Sequence, residues 1–257
     1  MKKSFYISVV IVAFVAIIGF GYTVEANHSW ESYHWARTSN PFNLKLGNNL
    51  SSAWKPYLAT TSVAWSLSSV LDTTVVSGQG RSNCRATLGR VEVCSKTYGN
   101  NGWLGIAQIW ISGTHIVQGT VKLNDTYFLT PTYNTTAWRN LVMCQEVGHT
   151  FGLNHQDENF DNPNLGTCMD YTNNPSTNQY PNQHDYDQLV TIYTHLDSST
   201  TVGSVLSSKG DNKTEIDSDD SSTWGKSLRK DSKKRNSLFE RDLGKGNKVV
   251  TFVIWAD

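Results

Sequence analysis

Two histidines and a glutamate lie within one short stretch of the chain. His149 is expected near the end of a helix, with Glu146 one turn before it on a neighbouring part of the surface. Gly152 allows a sharp turn out of that helix, so that His155 returns toward the same point. Imidazoles are common Zn²⁺ ligands, and a carboxylate beside them can move the proton of an attacking water. The stretch therefore predicts a hydrolytic zinc site.

Gln145 occupies the position from which a third ligand would come. It lies four residues before His149 and shares its helix face. A neutral amide oxygen is a poorer zinc ligand than imidazole. His184 or His115, from other parts of the chain, are alternative sources of the missing ligand. The sequence leaves the third ligand open.

The stretch resembles the long zinc-binding motif of metzincin metallopeptidases, H-E-x-x-H-x-x-G-x-x-H followed by a Met-turn. Glu146, His149, Gly152 and His155 match that motif position by position, and Gln145 stands where the family has its first histidine. The resemblance implies an α/β (α+β) catalytic domain with a mixed twisted sheet, an active-site helix and a C-terminal helix. It also implies Zn²⁺ as cofactor and a metalloendopeptidase that hydrolyses peptide bonds of proteins.

The Met-turn of the family is matched by the Cys-Met-Asp-Tyr sequence that ends at Tyr171. By resemblance, Met169 forms a hydrophobic floor beneath the metal. The M-x-Y pattern is similar to that of astacin-like and serralysin-like metzincins, in which the tyrosine is a mobile zinc ligand that helps to stabilise the oxyanion. Because a phenolate is a stronger donor than an amide oxygen, we expect Tyr171 to contact the metal in the resting state.

Periodicity places the elements that would position these residues. Strands are expected where apolar residues alternate from Phe42 to Leu46, again around Trp65 and Leu67, and over 90–94, 105–112 and 115–123. Helices are expected over 48–59, 136–152 and 185–196. A last hairpin is expected from strands 238–243 and 248–255.

Four cysteines allow three disulfide connectivities. Cys84 and Cys94 flank a short loop, whereas Cys144 and Cys168 bracket the candidate zinc site. We favour the pairing Cys84–Cys94 and Cys144–Cys168. No C-x-x-C pair is present, which argues against a cysteine-ligated metal.

The first residues are typical of a secretory signal peptide. A Lys-Lys pair precedes an apolar run, and Val24-Glu25-Ala26 supplies small residues for cleavage. The alternative is an uncleaved membrane anchor. We therefore expect a signal peptide over 1–26, a catalytic domain over 27–197, a polar linker over 198–236 and a C-terminal β-hairpin over 237–257. The expected location is extracellular, with no membrane association after cleavage.

Composition excludes several other classes of protein. The formal net charge is zero, with 22 basic and 22 acidic residues, which argues against a nucleic-acid-binding protein. The nine Trp, eleven Tyr and nine Phe residues are too many for a disordered chain. We expect a monomer that acts on a protein or peptide substrate. Asp157, Glu158 and Asp161 could form a Ca²⁺ site, although a solvated acidic loop is the simpler interpretation.

Two other functions fit parts of the sequence. Loss of the first histidine favours a catalytically impaired metzincin-fold protein that only binds proteins or glycans. Retention of Glu146 favours the enzyme, because a pure binding protein does not need that carboxylate. The Ser-rich tail is the one indication of a surface structural protein.

Overall fold

One mixed sheet is the frame on which the chain is built. The computed structural model describes residues 28–80, 83–205 and 219–257, so the predicted signal peptide lies outside the described residues. The strands, in chain order, are β1 (His34–Trp35), β2 (Phe42–Asn49), β3 (Leu71–Ser77), β4 (Val91–Lys96), β5 (Trp103–Ser112), β6 (His115–Asn124), β7 (Lys226–Lys230), β8 (Asn236–Gly244) and β9 (Asn247–Trp255). Their order across the sheet is β3-β2-β4-β6-β5-β9-β8-β7, and β1 pairs with β6.

The sheet has a parallel half and an antiparallel half. Strands β1, β2, β3, β4 and β6 pair in parallel, whereas β5 is antiparallel to β6 and begins an antiparallel series through β9, β8 and β7. The helices are α1 (Lys55–Trp65), α2 (Asp125–Phe128), α3 (Thr136–His149) and α4 (Gln183–Ile192), and a 3₁₀ turn spans Ser221–Thr223. The expected α+β class with a mixed sheet is confirmed.

The main core lies between the sheet and helices α1 and α3. Two buried tryptophans fasten α3 to this core through hydrogen bonds to its last turns. Trp65 donates its indole N–H to the Cys144 carbonyl at 3.1 Å, and Trp35 donates to the Thr150 carbonyl at 2.8 Å. Both indoles are fully buried. Large apolar burial combined with a satisfied indole N–H fixes the height of α3 over the sheet.

The other face of the antiparallel half is covered by a smaller apolar cluster. Trp224 packs there against Trp103 and Ile106 of β5, Phe239 of β8 and Val253 of β9. The alternation of side chains along β9 therefore sends Val253 to this cluster and Phe252 to the main core. Strand β9 is thus buried on both faces.

Helix α1 differs from the helix predicted over 48–59. The strand β2 continues to Asn49, and the helix begins only at Lys55, with Pro56 in its first turn. Proline is favoured at that position because its fixed φ suits the first turn and no N–H is needed there. The strand predicted around Trp65 and Leu67 is wrong. Trp65 is the last residue of α1, and Leu67 is exposed.

The C-terminal region contributes three strands to the sheet. Strand β7 lies within the range expected to be linker, and it pairs with β8. The expected hairpin is present as β8 and β9, and β9 pairs with β5 along the whole of that strand. The end of the chain is therefore part of the central sheet.

Two disulfides join the cysteines as expected from their spacing. Cys84 is bonded to Cys94, and Cys144 is bonded to Cys168. The second bond joins the middle of α3 to the segment that carries Met169. Within the described residues, no helix is long and apolar enough to cross a membrane.

Candidate functional site

Helix α3 carries the first half of the site. Thr135 caps its N-terminus by accepting a hydrogen bond from the backbone N–H of Trp138. The helix ends at His149, and the chain turns at Gly152, whose φ is +94°. A Cβ at Gly152 would lie 2.4 Å from the carbonyl oxygen of Tyr33, so both the backbone angle and the available space require glycine. This turn brings His155 back beside His149.

The two histidines face each other through their Nε2 atoms. The distance between Nε2 of His149 and Nε2 of His155 is 2.9 Å, and the rings are perpendicular. Nδ1 of His149 lies 2.9 Å from the Leu153 carbonyl oxygen, which can only accept a hydrogen bond. Nδ1 therefore carries the proton in the neutral ring, and Nε2 of His149 bears a lone pair.

Glu158 fixes the second imidazole in the same way. Its Oε1 lies 2.7 Å from Nδ1 of His155, so Nδ1 is the donor and Nε2 is again left with a lone pair in the neutral ring. Arg229 and Ser237 also donate to the Glu158 carboxylate, at 3.2 Å and 2.9 Å. Burial of Glu158 would raise its pKa, but the hydrogen bond from His155 and the charge of Arg229 act against it, and the pKa is lowered.

The Nε2 atoms of His149 and His155 therefore face each other in a buried environment. His149 is fully buried and His155 is 5 % exposed. Burial and the neighbouring His155 lower the pKa of His149 well below its ordinary value, which keeps the ring neutral. Donor atoms bound to one tetrahedral Zn²⁺ lie about 3.3 Å apart. The observed separation is close to that value, and the donor set is one that Zn²⁺ prefers.

Two further side chains of α3 carry buried oxygens without hydrogen-bond partners in the part of the chain that the structure describes. Both carboxylate oxygens of Glu146 and the Oε1 of Gln145 are buried and accept no hydrogen bond from the described residues. The Gln145 amide donates through Nε2 to the Cys168 carbonyl at 2.9 Å, which fixes Oε1 as its unused atom. Burial raises the pKa of Glu146 well above its ordinary value. Such groups are costly unless a ligand or ion engages them.

The segment that carries Met169 packs against α3. A Cβ added to Gly148 would lie 2.7 Å from the Met169 sulfur, so helix and methionine are in close contact. The backbone N–H of Gln156 donates to the Met169 carbonyl at 2.7 Å, and the Cys144–Cys168 bond ties the same turn to the helix. Met169 thus supports the helix turn between Gln145 and His149.

Tyr171 is brought to the site, but its hydroxyl is engaged elsewhere. Its ring centroid lies 4.4 Å from that of His155. The hydroxyl donates to the carbonyl oxygen of Val253, in β9, at 3.0 Å. Burial, together with the charges of Glu158 and Glu146, raises the pKa of Tyr171 well above its ordinary value, so the hydroxyl keeps its proton. The expected resting contact of Tyr171 with a metal is not the arrangement seen here.

Strand β9 covers the histidine pair. The Phe252 ring stacks on the His149 ring with a centroid distance of 4.1 Å and an interplanar angle of 7°. Phe252 pairs with Ala107 of β5, the strand that also passes beside Glu146. Glu146 and His149 have no exposed surface, and Tyr171 is 1 % exposed. The candidate site is therefore closed.

The remaining candidates are placed away from the histidine pair. Nε2 of His115 lies 3.2 Å from a carboxylate oxygen of Asp197, and His184 stacks on His28. Neither supplies the missing ligand in this structure. A calcium site formed by the acidic loop is also unsupported, because Glu158 gives both of its oxygens to other partners.

Sequence reasoning missed the residues that orient and cover the site. Glu158 was considered for calcium, although an acid three residues after a candidate histidine ligand is a signal for a carboxylate that orients the imidazole. Arg229 and Phe252 gave no local signal, because they reach the site only through the pairing of β7, β8 and β9.

Comparison with known proteins gives little further guidance. No protein-family model matches the chain, and no curated protein matches it. Among solved structures, one match is high choriolytic enzyme 1, a hatching-enzyme zinc protease from Oryzias latipes (medaka fish). It is 11 % identical, with 64 % of this chain and 96 % of that chain covered and a TM-score of 0.36. A second is myroilysin, also 11 % identical, with coverage of 65 % and 98 % and a TM-score of 0.38.

Gly105 tests how firmly Glu146 is held. A Cβ at this position would lie 2.7 Å from Val142 and 2.8 Å from the Glu146 Oε1. We expect Gly105→Ala to lower the free energy of unfolding by roughly 1–3 kcal/mol, measured by urea denaturation, because neither neighbour has room to move. Gly119→Ala, in the adjacent strand β6, is the control, since its Cβ would come no closer than 3.3 Å to any atom. Equal stability of the two variants would show that Glu146 moves freely.

Proposed function

We propose that this protein is a secreted zinc metallopeptidase that hydrolyses peptide bonds in proteins. The observation that carries the proposal is the 2.9 Å approach of two imidazole Nε2 atoms whose Nδ1 atoms are both committed as donors. Two facing lone pairs repel unless a cation lies between them. A proton or a metal ion would supply that charge, and we assign a metal ion because Glu146 and Gln145, on the same helix, each bring a buried oxygen with no hydrogen-bond partner among the described residues.

His149 and His155 would hold the metal, and the Gln145 Oε1 is the best placed third donor. Gln145 lies one helical turn before His149, and its oxygen is the atom that the Cys168 hydrogen bond leaves free. Glu158 acts through His155, because it holds that ring with its Nε2 toward His149. Bound Zn²⁺ would supply a Lewis acid that polarises a carbonyl and makes water more acidic.

Glu146 is the residue that would move protons. Its two oxygens have no other partner, so the carboxylate is free to take a proton from the attacking water and to pass it to the leaving amine. Tyr171, beside His155, would donate a hydrogen bond to the developing oxyanion once its hydroxyl leaves the Val253 carbonyl. The two disulfides support an oxidising, extracellular location.

A second function is favoured by the closed site. Glu146 and His149 have no exposed surface, as expected of a metzincin-like protein that binds partners and has no catalytic turnover. The choice between the two depends on whether hydrolysis occurs and whether it runs through Glu146.

Glu146→Gln decides between these functions. It preserves size but removes the base, so we expect hydrolysis of a generic protein substrate to fall by at least about 100-fold while zinc is retained. Glu31→Gln, at an exposed position, is the control. Zinc content is measured in parallel by elemental analysis. Zinc binding without hydrolysis in any form would favour the binding protein, and unchanged hydrolysis in Glu146→Gln would exclude this site.

Gln145 and Tyr171 can be compared as third ligands by chelator titration. Because the Tyr171 hydroxyl is bound to Val253 and the Gln145 Oε1 is free, we expect Gln145→Leu to weaken zinc binding by at least about 10-fold. Tyr171→Phe should change it little, and Gln145→His should strengthen it. The opposite order, with Tyr171→Phe the weaker binder, would assign the third position to the phenol.

A further inference from the structure

A second group of potential metal ligands lies outside the candidate active site. It consists of His34, His115, His195 and Asp197, which we call the Asp197 cluster. His34 belongs to β1, His115 begins β6, and the other two follow α4. The cluster shares no residue with the candidate zinc site.

The donor atoms of this cluster converge on one carboxylate oxygen. The Asp197 Oδ1 lies 3.4 Å from Nε2 of His34, 3.2 Å from Nε2 of His115 and 3.7 Å from Nε2 of His195. The Nε2 atoms of His34 and His195 are 3.2 Å apart. Ligand atoms of His34, His195 and Asp197 all lie within 4.8 Å of one another. These separations are close to the roughly 3.3 Å between ligands of a tetrahedral zinc ion.

The protonation of His34 leaves its Nε2 without a hydrogen to donate. Nδ1 of His34 lies 2.6 Å from the Ser32 carbonyl oxygen and must carry the ring proton. The bare Nε2 of His34 therefore faces both a carboxylate oxygen and another imidazole nitrogen.

Asp197 is held in place by its other oxygen. Oδ2 accepts hydrogen bonds from the Arg37 side chain at 2.9 Å and from the Arg37 backbone N–H at 3.1 Å. Oδ1 is therefore the oxygen that faces the imidazoles, and it is the atom that would bind a metal ion. The His34 side chain is 4 % exposed and that of His195 is 55 % exposed, so the ion would reach the cluster from solvent through the His195 side.

We propose that the Asp197 cluster is a second Zn²⁺ site, with His34, His195 and Asp197 as ligands. His115 lies within hydrogen-bonding distance of the same carboxylate oxygen, at 3.2 Å. A metal here would fasten β1 to the segment that follows α4. Its role is therefore structural, and it does not depend on the chemistry proposed for His149 and His155.

Metal counting on the full chain tests this site. We expect the metal-depleted protein to take up about two equivalents of Zn²⁺, and His195→Ala to take up about one. His149→Ala should also lose one, and a variant with both changes should lose both. His184→Ala, a histidine outside both groups, is the control and should keep two.

The variants separate the two sites. His195 is exposed enough that its replacement should leave the fold intact, and His195→Gln provides a second variant of closer size. Loss of an equivalent in both His195 variants supports the Asp197 cluster, whatever His149→Ala shows. Full zinc uptake in both would overturn it, and would mean that the cluster is held together by protonated imidazoles.

A different observation bears on how the candidate active site is regulated. Strand β9 pairs with β5 from Trp103 to Ser112, beside Glu146, and places Phe252 on the His149 ring. Without β9, this edge of β5 would offer unpaired backbone groups next to the catalytic residues. An extended peptide could then add to it as a strand. Strand β9 therefore fills the position that an extended peptide would need.

We infer that β9 is an internal inhibitory strand, an inference that rests on the proposed peptidase function. Phe252 shields His149, and the Val253 carbonyl holds the Tyr171 hydroxyl. Displacement of β9 would uncover the histidine pair, free the tyrosine and expose the β5 edge in one movement. The chain as described is the closed form.

Phe252→Leu tests the inference in the full chain, because it keeps apolar volume but removes the flat ring from His149. We expect diethyl pyrocarbonate to modify His149 of the metal-free variant at least about 10-fold faster than in the unaltered protein, as judged by peptide mapping. Hydrolysis of a generic protein by the zinc-loaded variant should rise several-fold. A synthetic peptide with the sequence of residues 247–255 should reverse that rise. Phe239→Leu, in the same hairpin but in the smaller cluster, is the control.

The two readouts keep the two proposals apart. If His149 is modified faster but no form of the protein hydrolyses the substrate, the result supports the shielding of His149 by β9 and overturns the proposed peptidase function. Unchanged modification and unchanged hydrolysis in Phe252→Leu overturn the inhibitory role of β9. A matching increase in Phe239→Leu would also overturn it, because the effect would then come from general loosening of the hairpin.

Discussion

The structure around α3 depends on one electrostatic constraint, the placement of two buried imidazoles with their Nε2 atoms 2.9 Å apart. That arrangement is unfavourable by itself, and it persists because the other nitrogen of each ring is fixed. The Leu153 carbonyl fixes His149, and the Glu158 carboxylate fixes His155. Around them, burial removes the water that would otherwise relieve the repulsion. The fold thus holds the two Nε2 atoms 2.9 Å apart, where a shared positive charge would stabilise them.

Several tertiary contacts at the end of α3 keep the two imidazoles in this arrangement. Trp35 and Trp65 hold its carbonyls, Gly148 allows close approach of Met169, and the Cys144–Cys168 bond fixes the turn beneath it. Arg229, from β7, reaches Glu158 and so links the C-terminal strands to the orientation of His155. In the proposed metal site Gln145 would be a weak donor, so the orientation of the two imidazoles would depend on these contacts.

Strand β9 contributes to the stability of the fold and also blocks access to the candidate site. Strand β9 is buried on both faces, with Phe252 in the main core and Val253 in the smaller cluster. Its removal would therefore cost apolar burial as well as open the site. Such a strand suits a protein whose site stays closed until a binding partner, proteolytic cleavage or a competing strand displaces β9.

The sequence by itself determined the local parts of this site. The helix expected over 136–152, three residues longer than α3, and the sharp turn expected at Gly152 follow from residue types within a few positions. The loop sizes indicated the cysteine pairing. The α+β class followed from the motif and the alternation of strands. These features are set by backbone preferences and short-range spacing, which a single sequence displays.

Tertiary structure alone decided what completes the site and what closes it. The Tyr171 hydroxyl meets the Val253 carbonyl across a separation of 82 residues, and His34 meets Asp197 across 163. The expected hairpin and β7, which lies within the range expected to be linker, are part of the central sheet because β5 had a free edge and β9 had two apolar faces to bury. Which distant strand satisfies an edge depends on the packing of the whole chain, and no local pattern records it.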